Sequence, residues 1–153
     1  MADPSGWSGA SVRFVLASHE GAWEVMPYVD DVPLTELVTA YEGARSFDVV
    51  GGYDRAILAD LGDAQRFLGR ERPWPAPSVS LLDCDCGFPG CWPLRARIRR
   101  SAGRVVWDRF EQPHRPRRDY TDFGPFVFDG GQYRRAIDEA VGDQGSAHGG
   151  EPV

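Results

Sequence analysis

A chain of 153 residues, 42% hydrophobic and 26% charged, has the size and make-up of one globular domain with its own core. It contains no apolar run near the roughly 20 residues that a membrane-spanning helix requires. Its formal charge of −6 argues against nucleic acid or an anionic membrane as an obligate partner, and with no lysine or asparagine it excludes a lysine Schiff base to pyridoxal phosphate, a Walker-type phosphate lysine and N-glycosylation.

The opening residues, MADPSGWSGA, show neither a basic n-region nor an apolar h-region. They predict no secretory signal, a flexible stretch over residues 1–9 and a reducing, cytoplasmic location. SVRFVLASHE then alternates Val12, Phe14 and Leu16 with Arg13, Val15 and Ala17, the pattern of a half-buried strand. His19-Glu20-Gly21 reads as a turn and AWEVMPYVDD as the returning strand, placed at an edge or given a bulge because of Pro27. Asp30-Asp31 reads as the turn before a helix. DVPLTELVTAYEG predicts that helix, with Pro33 at its first helical position, a stripe of Leu34, Leu37, Val38 and Tyr41, and a stop at Gly43. Gly51-Gly52 reads as a turn, and Asp63 as the cap of a short helix carrying Phe67 and Leu68. The proline-rich RERPWPAP predicts an extended linker.

In the second half, SVSLLDC predicts a strand, LRARIRR and RVVWDRFEQ a hairpin turning at Ser101-Ala102-Gly103, and DFGPFVFD a short extended segment. A final helix follows, with Asp129 and Gln132 as a D-x-x-Q capping box and Tyr133, Ala136, Ile137 and Ala140 as its stripe. Residues 142–153 offer little to bury and predict a disordered tail. The expected fold is a single α+β domain over residues 10–141, an antiparallel sheet of hairpins with two or three helices on one face.

All three cysteines fall within LLDCDCGFPGCWPL, as Cys84, Cys86 and Cys91. On an extended segment Cys84 and Cys86 share a face. Phe88-Pro89-Gly90-Cys91 has the make-up of a type II turn, which folds Cys91 back towards Cys86. Three converging thiols suit zinc, which needs about four ligands, or the soft ion Cu(I). The fourth ligand is sought among His114, His19, Asp83 and Asp85, and His114 is preferred because the hairpin after Cys91 returns it towards the cluster. The expected site is therefore Cys84, Cys86, Cys91 and His114 around zinc, in a protein that is not an enzyme. Besides cysteines that simply pack as small apolar side chains, two alternatives stand beside it. One is a metal-free acidic interaction protein of the immunity-inhibitor kind, using residues 1–90, whose formal charge is −8, against a basic protein partner. The other is a thiol-redox enzyme using the same cysteines.

The nine arginines from Arg95 to Arg118 read as a solvated face paired with Asp108, Glu111 and Asp119 in preference to an anion or RNA site. No G-x-S-x-G, H-E-x-x-H or EF-hand motif occurs. CDCGFPGCWPLRARI, with VVWDRFEQPHR and FGPFVFDGGQYRRAI, resembles a group of small bacterial proteins sharing a C-x-C-G-x-x-G-C-W-P-L signature. That resemblance covers approximately residues 79–140. It implies a shared domain type and brings no activity or catalytic residue to this chain.

Overall fold

A computed structural model describes residues 9–71, 76–88 and 90–149, the side chains of 143–149 excepted. Expectations for residues 1–8, for positions 72–75 of the proline-rich segment, for Pro89 and for 150–153 lie outside the described residues.

The first hairpin forms as the alternation predicts. Strand β1 (Val12–His19) pairs antiparallel with β2 (Ala22–Val29), and Val12, Phe14 and Leu16 face the core. Glu20 and Gly21 both take positive φ, the type I′ geometry whose twist matches the flanking strands. Asp30-Asp31 repeats it between β2 and the two-residue β3 (Val32–Pro33).

Contrary to expectation, β2 is an inner strand. Its other side pairs with β3 at Tyr28–Val29 and with β5 (Ala56–Leu58) at Trp23–Val25. Pro27 falls in the gap between those two partners. The closing pair of each two-residue turn fixes which way the amides point, so even residues of β2 bond to β1 and odd ones point away. The N–H that proline lacks would therefore have met no strand.

Helix α1 (Leu34–Ala44) starts after Pro33, buries Leu34 and Val38, and runs one residue past Gly43. Next come β4 (Tyr53–Asp54), β5 and a 3-10 helix (Leu61–Leu68) that buries Ala64 and Phe67. The cap of that helix is Asp60, whose carboxylate accepts the Asp63 N–H at 3.0 Å, so Asp63 is not the capping residue.

The remaining strands are β6 (Ser78–Cys84), β7 (Leu94–Ser101), β8 (Arg104–Glu111) and β9 (Phe126–Asp129). The architecture is α+β with antiparallel sheets, as expected, but there are two sheets. One is built on β1, β2, β3 and β5; the other runs β4-β6-β7-β8-β9. The chain passes between them at Arg55, and buried Asp83 on β6 ties them by accepting the Ile57 N–H at 2.8 Å.

Helix α2 (Gly130–Gly149) closes the core with Tyr133 and Ile137 and continues beyond residue 141, where the sequence placed the end of the domain. Asp129 caps it by accepting the Gln132 N–H at 2.9 Å. Gln132 does not complete the box. Its carboxamide instead accepts the Val12 N–H at 3.1 Å and donates to the Val12 carbonyl at 2.7 Å, standing in for a neighbouring strand. No helix among the described residues is long and apolar enough to cross a membrane.

Candidate metal centre

The cysteine loop connects β6 to β7 and lies at the end of the five-stranded sheet where β8 also finishes, Arg95 being paired with Glu111. Tyr53 of β4 pairs with Cys84, and the Asp85 N–H donates to the Gly52 carbonyl at 3.0 Å. Three chain segments thus meet at the loop: residues 47–53, 84–92 and 112–120.

Two consecutive turns fold the loop. The Gly87 N–H donates to the Cys84 carbonyl at 3.1 Å, and the Cys91 N–H to the Phe88 carbonyl at 3.4 Å. Gly90 has φ of +79°, as the third position of a type II turn requires. Because β6 ends at Cys84, turn geometry and not strand parity brings Cys86 beside it.

The result is three sulfurs within 4.8 Å of one another, a set able to hold a metal ion. Cys84 is buried, while Cys86 and Cys91 are exposed. Cys84 Sγ accepts the Cys86 N–H at 3.3 Å and lies 3.8 Å from Asp85 Oδ1. The Cys84 thiol is pushed up to about 12, first by its side-chain interaction with Cys86 and second by burial. Cys86 is correspondingly lowered, first by that interaction and then by the Phe88 N–H. A metal ion bound by these thiols would displace their protons.

The four expected companions have different fates. His114 reaches the loop but not the sulfurs: its Nε2 faces the Gly90 carbonyl at 2.8 Å, and its ring stacks on Trp92 at 6.2 Å and 4°. His19 lines, with Cys84, Cys86 and Asp85, a cleft of about 500 Å³, where it pairs with Glu20 at 3.7 Å. Asp83 is buried and committed to the Ile57 N–H. Asp85 alone has its carboxylate against a cysteine sulfur.

Sequence reasoning missed what lies beneath the loop. Glu42 on α1 is fully buried, its Oε1 accepting the Gly51 N–H at 2.8 Å. Its Oε2 accepts the Tyr53 and Tyr120 hydroxyls at 2.7 and 2.6 Å and Arg118 Nη1 at 3.2 Å. Gln112, also buried, donates to the Tyr53 hydroxyl and accepts the His114 N–H. Trp92 donates its indole N–H to the Gly51 carbonyl at 2.9 Å, under the guanidinium groups of Arg115 and Arg118. This network fixes both walls of the cysteine loop.

It also accounts for part of the basic segment. Arg118 is only 6% exposed and neutralises Glu42 and Asp48. Arg95 donates to Ser78 and Ser80, and Arg99 pairs with Asp108 at 3.1 Å, as the solvated-face reading expected of Asp108. Glu111 accepts instead from the Ser78 hydroxyl.

No family model, curated protein or solved structure matches this chain. The chemistry of the loop therefore rests on its own residues.

Proposed function

We propose that Cys84, Cys86 and Cys91 form a metal centre, zinc by preference, with the Asp85 carboxylate as fourth donor. The observation that carries this reading is the convergence of three sulfurs within 4.8 Å from one short loop. Thiolates bind zinc at about 2.3 Å and carboxylate oxygens at about 2.0–2.2 Å, in tetrahedral sites. Asp85 Oδ1 lies 3.8 Å from Cys84 Sγ but outside the set of atoms within 4.8 Å of one another, so its side chain would turn towards the ion to complete the tetrahedron. The anionic donor set suits a dication.

In this reading His114 is not a ligand. It fixes the loop through the Gly90 carbonyl and the Trp92 ring, as an outer partner orients a ligating element. Burial of Cys84 beside two exposed cysteines gives a site anchored on β6 and open towards the cleft.

Metal analysis of the purified chain and substitution with Co(II) test the proposal. One equivalent of metal per chain and a thiolate-to-cobalt charge-transfer band are expected. Each Cys→Ser variant should weaken the band, and Asp85→Ala should alter the ligand-field region. Affinity should rise with pH, since binding displaces thiol protons, the raised Cys84 among them. Absence of bound metal, with three thiols titrating identically with and without chelator, would sink the reading.

A further inference from the structure

We propose that the metal centre is also a redox switch: a neutral hydroperoxide entering through the cleft links Cys86 to Cys91 as a disulfide and releases the metal. This rests on the metal reading above and adds its regulation.

Geometry selects the pair. Cys84 is buried and its backbone is held in the ladder opposite Tyr53. Cys86 and Cys91 are exposed and joined by the Phe88–Cys91 turn, whose hydrogen bond already draws the two sides together. Their sulfurs, within 4.8 Å, need to close to about 2.0 Å, a movement confined to one loop. Cys84 and Cys86 both line the cleft, Cys86 being the exposed one, and the acidic groups there (Glu20, Glu24, Asp54 and Asp85) outnumber Arg55. That charge disfavours anionic oxidants such as oxidised glutathione and leaves uncharged hydrogen peroxide unhindered.

The step balances. The Cys86 sulfur attacks one peroxide oxygen, the O–O bond breaks, and the departing hydroxide takes a proton to become water. Cys86 is then a sulfenic acid. The Cys91 thiolate attacks its sulfur, the S–O bond breaks, and the second hydroxide leaves as water after protonation. Two sulfurs lose two electrons in all, and the peroxide gains them. Zinc, unchanged in oxidation state, is left with Cys84 and Asp85, too few donors to retain it. A dithiol reductant reverses the link by exchange.

The zinc-loaded protein is treated with hydrogen peroxide while released zinc is followed with a chromogenic chelator, then alkylated and cleaved before aspartates. Cleavage before Asp85 separates Cys84 from the other two cysteines. The expected product is a fragment of residues 85–107 lighter by two hydrogens, with Cys84 alkylated and zinc release tracking the link. Oxidised glutathione should act more slowly than peroxide at low ionic strength. In Cys91→Ser a dimedone adduct should form on Cys86 with no link. A bridge containing Cys84, sulfinic acid at Cys86 without a bridge, zinc retained despite the bridge, or faster reaction with oxidised glutathione would overturn the switch while leaving the metal reading in place. A chain that takes up no zinc yet forms the bridge would instead refute the metal reading, and the switch with it.

Discussion

Glu42 shows how much of the site's support rests on a single side chain. It is fully buried, and its charge is met by Arg118 and two tyrosine hydroxyls. Removing one partner of a buried pair leaves an unmet charge and costs about 3–5 kcal/mol. Glu42→Gln should lower unfolding free energy by an amount in that range in urea titrations, without touching any proposed ligand. His114→Ala probes the opposite case. If His114 orients the loop, metal affinity should fall by about 10–100-fold while the thiolate-to-cobalt band per bound ion is unchanged. Loss of ligand-field intensity would make it a ligand after all. The cysteines were legible in the sequence because their chemistry is contiguous. Glu42 was not, since it reads as a solvated helix position and its partners Arg118 and Tyr120 lie 76 and 78 residues away.

Among the elements, the hairpins and both α-helices followed from alternation, turn residues and stripes. Three features did not. The 3-10 helix is capped one turn earlier than expected, because Asp60 and Asp63 are equally plausible caps by residue type. Pro27 sits in an inner strand because its gap depends on two partners distant in sequence. Gly69, which ends the 3-10 helix, has φ of +76°, and a Cβ there would lie 2.5 Å from Ile98 Cγ2 and 2.7 Å from the Ile98 carbonyl oxygen. The close approach lets Arg70 bond to both Ile98 and Arg100 of β7. Gly69→Ala combines a left-handed backbone with overpacking, and about 2–4 kcal/mol of destabilisation is expected by chemical denaturation.

For the whole molecule, the class was legible and the division into two sheets was not. The crossing at Arg55 depends on β4 and β5, of two and three residues, too short for any periodic signal. The buried tyrosines joining these layers set the alkaline limit of stability. Tyr120 is pushed up to about 12, first by burial and then by the Glu42 carboxylate. Tyr53 and Tyr133 are raised as well, again first by burial. A raised folded-state value means the native chain holds more protons than the unfolded one above about pH 10, so stability falls as pH rises. Full stability is expected below pH 10 with progressive loss through pH 12, read from urea midpoints. Tyr120→Phe should flatten that slope.

Two back-to-back turns place every proposed sulfur ligand, and Asp85, within residues 84–91. A donor set so local in the chain survives unfolding almost intact, unlike one assembled from distant strands. The denatured chain would compete for the same ion, and linkage credits the fold only with the difference between the two affinities. Tight binding would then coexist with a small rise in melting temperature: the ion would organise the loop, and the two sheets would stand without it.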